Sequence, residues 1–309
     1  MVDTLIEEYT FENFVVGGSN RLAHAGALSV TERSDRRYNP LYVYGDKGLG
    51  KTHLLHAIGH RARSEGGLVL YLTAEEYRNK VLWSVRNNEP DYFRARYYSL
   101  NFLLFDDASD LGQMEEVQER FFHWFNTLHL DRSQIVIAGS RHPRSMPLLD
   151  DRLRSRFEWG LVTEITPPNL ETRLAILQAK ADAKKVELDP EVLDLIAHRA
   201  QTDIKSLEGA LNCVLNYKEA HQVKKISFEM AVEALEAVND RTRRLSLQPD
   251  SIIRATGEKF AVPEDVMKGP KRDREIVLAR HVTMFLMREG TSPSLAGIGR
   301  ELGGGIIPQ

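Results

Sequence analysis

A single cysteine, Cys213, stands in 309 residues, so no disulfide can close within the chain, and a reducing compartment suits it. No apolar run reaches the length of a membrane-spanning helix, and residues 1–10 are too acidic and polar for a secretory signal. Low-complexity tracts and internal repeats are also missing. A disulfide scaffold, a spanning helix and a repeat array are therefore excluded, and a cytoplasmic location is expected. Neither sign of charge dominates: 41 basic residues face 44 acidic ones, for a net −3. That balance hides an asymmetry. Residues 241–309 hold 12 Lys and Arg against 8 Asp and Glu, whereas the first 240 carry 29 against 36. A basic C-terminal segment on an acidic body is the pattern of a nucleic-acid module. The length suffices for two domains, or three small ones, each with its own core.

What is present is organised around residues 41–56, a short apolar strand, a glycine-rich turn and the start of a helix. Gly45, Gly50, Lys51 and Thr52 satisfy the phosphate-loop spacing G-x-x-x-x-G-K-[ST], with Gly48 inside the turn. Glycine lets the backbone curl so that its N–H groups face a phosphate at a helix N-terminus. Lys51 would reach the β- and γ-phosphates of ATP, or the β-phosphate of ADP, and the Thr52 hydroxyl would sit on Mg²⁺. The second chemical landmark is 101–107. Its four apolar residues suit a buried parallel strand, and Asp106 and Asp107 stand at its C-terminal end. Asp106 would complete the magnesium shell, and Asp107 would orient or deprotonate the attacking water.

Around these landmarks strands and helices alternate. An aromatic-anchored strap, 9–17, precedes a helix that Ser19 and Asn20 could cap and that runs to about Thr31. Phe11 and Phe14 of the strap either pack the core or lie beside a nucleotide base. Further strands are expected at 68–72 and 134–139, and helices through Ser64, from Thr73, and over 115–128. Arg78, Lys80, Arg86, Arg94 and Arg96 form either a solvated face or a single-strand contact surface. Arg152, Arg154 and Arg156 form either a salt-bridged turn or an arginine finger aimed at a neighbouring subunit's γ-phosphate. Pro167-Pro168 marks a boundary. Beyond it four helices are expected, at 170–184, from Pro190, at 204–220 and at 228–238, with Lys205 at the start of the third. A basic connector at 239–247 leads to a third, helical unit with helices at 251–260 and 275–288, a charged loop at 268–274, and the start of a helix-turn-helix at 294–304.

Taken together these residues resemble the DnaA family of bacterial chromosomal replication initiators. The similarity runs from Tyr9 to about Gly304. It is carried by 9–17, the Gly45–Thr52 loop with His53-Leu-Leu-His, 103–107, Asp151-Arg-Leu-Arg-Ser-Arg-Phe157 and Leu207-Glu-Gly-Ala-Leu211. The resemblance implies an α/β P-loop AAA+ base over 1–166, a parallel sheet with helices on both faces. A helical lid over 167–239 and a small all-α DNA-binding unit over 240–309 would follow. It also implies a weak ATPase that assembles as an ATP-bound filament, binds duplex origin DNA and opens it, with hydrolysis as the off-switch. Cofactor contacts would be Gly45, Gly48, Gly50, Lys51, Thr52 and His53, with Mg²⁺ on Thr52 and Asp106. Asp106, Asp107, Arg156 and Lys205 would serve hydrolysis, and Lys271, Arg272, Arg274 and Arg280 would meet DNA. Single-stranded DNA and acidic phospholipid are further partners implied by the family.

The sequence departs from the family at several points. Lys205 replaces the usual arginine and loses its planar fork. Ser140 stands where many members carry an acid, and 108–117 lack the usual basic residues. The signature that opens the recognition helix is missing, so a partial DNA-binding unit is expected. Two rivals follow: a regulator that joins the filament through Arg156 without reading DNA, and a helicase loader of the same ATPase class.

Overall fold

The computed structural model describes residues 5–32, 38–87, 89, 100–111, 114–245, 249–269, 271, 273–290 and 295–302. Arg94, Arg96 and Arg272 lie outside them. The chain forms two compact units, Met1–Ala231 and Val232–Gln309.

The first unit is built on five parallel strands: β1 Leu41–Tyr44, β2 Val69–Thr73, β3 Phe102–Asp106, β4 Gln134–Gly139 and β5 Leu161–Glu164, in the order β2-β3-β4-β1-β5. Successive side chains on a strand point to opposite faces, so both faces of this sheet are apolar. Tyr42, Leu103, Phe105, Ile135 and Ile137 face one side. There they bury Tyr77 of α3 (Ala74–Arg86), Phe121 and Phe125 of α4 (Glu115–Leu130) and Phe157 of α5 (Asp151–Phe157). Leu41, Val43, Leu104, Val136 and Ala138 face the other, against α1 (Arg21–Thr31) and α2 (Lys51–Ser64). Because every strand runs the same way, all the C-terminal ends share one edge. The glycine loop, the acidic pair and Ser140 meet there.

Local signals set the boundaries. Thr73 and Glu76 form a reciprocal capping box, which ends β2 and starts α3 without a loop. Asn20 does precede α1, but it caps nothing in that helix. Its side chain accepts from the Gly17 N–H at 2.8 Å and donates to the Val15 carbonyl at 3.0 Å, tying down the strap instead.

After β5 only helices follow among the described residues: α6 Leu170–Ala183, α7 Pro190–Arg199, α8 Ile204–Ala220 and α9 Phe228–Leu245. The break expected at Val238 does not occur. Residues 239–245 turn polar but contain neither Gly nor Pro, and polarity alone does not end a helix. The second unit packs α10 (Pro249–Phe260), α11 (Glu264–Met267), α12 (Arg274–Gly290) and α13 (Leu295–Glu301) around Ile252, Ile253, Met267, Ala279 and Met287. No described helix is long and apolar enough to cross a membrane.

Candidate functional site

The turn between β1 and α2 holds Gly45, Gly48 and Gly50 at φ values of 153°, 79° and 96°, all in the range that side chains resist. Space is short as well. A Cβ on Gly45 would lie 2.2 Å from the Ile165 carbonyl oxygen. The loop is therefore a cradle of backbone with no room for side chains at these positions. Lys51 opens α2 and is buried, with its ammonium donating to the carbonyls of Gly45 and Asp46, both at 2.7 Å. Burial pushes its pKa down, partly offset by Asp106 and Asp107. The cation thus sits inside the loop without a carboxylate bonded to it.

Thr52, next on α2, donates its hydroxyl to Oδ2 of Asp106 at 2.7 Å, bridging the loop to the end of β3. The same carboxylate accepts from the Tyr71 hydroxyl at 2.9 Å and, through Oδ1, from the Asp107 backbone N–H at 2.9 Å. Tyr71 was missed from sequence. It lies on β2, whose C-terminal end pairs with that of β3, and its spacing marks it only as a strand residue. Asp107 turns out of the strand at φ 53°, an exposed carboxylate. Desolvation first, then the charges of Asp106 and Asp110, raise its pKa above the usual carboxylate value. Ser140 ends β4, where Ser109 accepts from both its backbone N–H and its hydroxyl at 2.9 Å.

His53 does not turn into the loop. Its ring stacks on Tyr9 with centroids 4.8 Å apart, and Nε2 lies 2.8 Å from the Thr10 carbonyl oxygen. It fastens the strap, and the strap in turn brings Phe14 against Gly50. Above the loop, the Ile204 N–H at the start of α8 donates to the Gly48 carbonyl at 3.0 Å. Lys205 is exposed one residue further on, and its side chain has no hydrogen bond or ion pair among the described residues.

The three arginines of α5 differ in their partners. Arg152 makes a two-pronged contact with Asp150, at 3.1 Å for each prong. Arg154 bonds Asp151 and donates to the carbonyls of Met146 and Leu149 at 3.1 and 2.8 Å. The Arg156 side chain has neither a hydrogen bond nor an ion pair among the described residues. Its guanidinium lies against aromatic rings, 4.6 Å from the centroid of Trp159 and 5.9 Å from that of Phe122.

A metal and a nucleotide fit this set. No described cluster of three or more His, Cys, Asp or Glu exists that would cage a cation alone. One hydroxyl and one carboxylate suit Mg²⁺, which keeps waters and phosphate oxygens in its shell. The cradle and the buried ammonium suit a triphosphate.

The basic residues of the second unit divide in the same way. Lys271 and Arg274 are exposed. Arg280 is turned inward and donates to the carbonyls of Met267, Val266, Lys271 and Gly269, the first three at 2.7, 2.9 and 2.6 Å. It closes the C-terminal end of α11 and shapes the loop between α11 and α12. Charge-assisted bonds of this kind are worth about 1.5–3 kcal/mol apiece and are not additive. Arg280→Met is therefore expected to destabilise this unit by roughly 2–3 kcal/mol in urea denaturation. Lys271→Ala should leave the midpoint unchanged. Equal midpoints for all three proteins would refute the bracing role.

Comparison with known proteins places these features in a family. Residues 5–164 match the family model of the bacterial DnaA ATPase domain, and residues 249–305 match that of the bacterial DnaA helix-turn-helix. A chromosomal replication initiator protein DnaA of Chloroflexus aurantiacus is 43% identical over 298 residues, which are 96% of this chain and 62% of the relative. The chain thus spans less than two thirds of that relative's length. The crystal structure of domain III of the Thermotoga maritima DnaA superposes with a TM-score of 0.72 at 38% identity, covering 76% of this chain and 98% of that one. A replication initiator DnaA bound to AMPPCP and single-stranded DNA superposes at 0.69 with 33% identity, covering 97% and 88%.

Proposed function

Because the chain belongs to the DnaA family of bacterial replication initiators, we propose that it is an ATP-dependent initiator. It would bind duplex origin DNA, assemble with copies of itself while ATP is bound, and use slow hydrolysis as the off-switch. The observation that carries this reading is the bridge from Thr52 to Asp106 beside the Lys51 ammonium in its cradle of glycines.

In this reading the loop N–H groups bind the α- and β-phosphates, and Lys51 leaves the Gly45 and Asp46 carbonyls for the β- and γ-phosphates. Thr52 and Asp106 would hold Mg²⁺, which would supply positive charge against the phosphate oxygens. Tyr71 orients the Asp106 carboxylate through its hydroxyl. Asp107 holds the attacking water and takes its proton, a task its raised pKa favours. Arg156 reaches the γ-phosphate held by the next copy, since its guanidinium is the one among the α5 arginines with no carboxylate or carbonyl partner among the described residues. Lys205, one residue past the amide that bonds Gly48, contacts the γ-phosphate bound in its own copy from the lid side. In the second unit Lys271, Arg272 and Arg274 meet DNA phosphates. Single-stranded DNA is a further ligand in this reading, as in the relative bound to it. Acidic phospholipid remains a family-based partner, and the cytoplasm the expected location.

The test joins assembly to DNA binding. Wild type and Arg156→Ala are titrated with ATP or ADP and followed by light scattering, then by anisotropy of a labelled origin-box duplex against a scrambled one. ATP-dependent assembly in the wild type, its loss in Arg156→Ala with ATP affinity retained, and preference for the box are the expected results. Equal binding to both duplexes, fading with salt, would reduce DNA recognition to phosphate contacts. No duplex binding would leave a regulator of the filament.

A further inference from the structure

The aromatic column beside Arg156 has no role in the reading above. Trp159 is 59% exposed, although an indole of this size normally buries most of its surface. Its outer face carries the Arg156 guanidinium at 4.6 Å. Its other contact is His129, stacked at 4.8 Å with 16° between planes, and His129 stacks in turn on Phe125 at 6.2 Å and 10°. Phe125 is fully buried in the core beneath α4. Guanidinium, indole, imidazole and phenyl thus form one column that runs from the surface into the core. Phe122, one turn earlier on α4, flanks it and carries Arg152 at 4.9 Å.

The column offers Arg156 something a carboxylate would not. Asp150 and Asp151 hold Arg152 and Arg154 by their N–H edges, and Glu158, two residues on, is held by Arg144 at 3.0 Å. An arginine bound in that way has its donors occupied. One resting on a ring face is attracted by the quadrupole while its planar fork of donors stays available to an anion. A long, freely rotating arginine would also lose rotamer freedom on docking, and prior placement on a rigid ring reduces that loss.

We propose that Trp159 is a positioning residue for Arg156, presenting its guanidinium to a phosphate bound by a second copy of this chain. The proposal rests on the reading of Arg156 given above. The exposed indole aims the arginine, and His129 and Phe125 fix the indole.

The test compares Trp159→Phe, Trp159→Leu and Arg156→Ala in the full chain. The readouts are the protein concentration at half-maximal ATP-dependent assembly, the affinity for ATP and the melting temperature. Leucine keeps apolar bulk without a ring face, whereas phenylalanine keeps the ring. Trp159→Leu is expected to raise the half-assembly concentration roughly three- to five-fold, the scale of one exposed cation–π contact. Trp159→Phe should stay within about twofold of wild type on the same scale. ATP affinity and melting temperature should be unchanged in both. Assembly of Trp159→Leu at the wild-type concentration, or equal losses in the leucine and phenylalanine variants, overturns the positioning role. Arg156→Ala separates the two levels: if it assembles as wild type, the reading of Arg156 fails and takes the proposal with it. If it fails to assemble while Trp159→Leu does not, the proposal alone falls.

Discussion

Replacing Lys51 by methionine is expected to remove nucleotide binding while leaving the nucleotide-free protein about as stable as wild type, because the burial cost it relieves offsets the two carbonyl bonds it removes. The two halves have separate causes. The ammonium is buried and its pKa is depressed by desolvation, so the folded protein carries a charge that burial disfavours. A methionine has similar length and no charge to bury. The loss is confined to the ligand. Charge-assisted bonds to phosphate are worth on the order of 1.5–3 kcal/mol each, so losing two weakens binding by roughly a hundredfold or more. Differential scanning with and without ATP measures both halves. In wild type, ATP at a hundred times its dissociation constant adds about 2.7 kcal/mol and raises the melting temperature. In Lys51→Met that rise should vanish from a baseline close to that of wild type. A normal ATP-induced rise would remove Lys51 from the site.

Asp107→Asn is the second large effect, and its two consequences run in opposite directions. Hydrolysis should fall by a factor of about a hundred or more, the usual contribution of a positioned base. Stability without nucleotide should rise at neutral pH. The sign follows from the raised pKa. A carboxyl whose folded pKa lies above its unfolded one favours folding while protonated. That stability is lost as pH climbs through the interval between the two values, and above it the wild type carries the full cost. The asparagine variant has no such charge, so its advantage should be present at pH 7 and shrink as acid protonates the wild type. Asparagine also tolerates the left-handed backbone found at this position. Melting temperatures at pH 7 and near pH 4, with single-turnover hydrolysis, test both. A variant that hydrolyses normally would relieve Asp107 of its role. One that melts lower at pH 7 would contradict the electrostatic account.

The legible parts of this chain are those where one physical demand fixes several adjacent residues. A backbone that must curl around phosphate needs Gly45, Gly48 and Gly50. A strand buried on both faces needs the apolar run before Asp106, and the capping box of Thr73 and Glu76 marks its own helix start. Parts set by distant contacts were illegible. β5 has four residues, too few for a pattern, and exists because β1 offers it an edge. Tyr71 resembles any strand tyrosine until β3 brings Asp106 to its hydroxyl. Arg280 reads as one more basic residue of a charged loop, and only the fold shows that carbonyls take up its donors. The same holds for α5, where spacing cannot tell which of three arginines keeps its donors available. His53 is a nucleotide contact only by family resemblance, and nothing in its spacing shows that its ring stacks on Tyr9 of the strap.

The bond from the Ile204 amide to the Gly48 carbonyl connects the helices after β5 to the phosphate loop through main chain alone. Position 48 must stay glycine for its backbone angle, whereas the bond takes only the amide of position 204 and asks nothing of its side chain. Comparing residues across descendants of this sequence would therefore find no covariation between the two positions, however strictly selection preserved the link. Proline at 204 is the one encoded residue that would erase it. Inheritance can keep such a joint intact while leaving no trace of it in the letters.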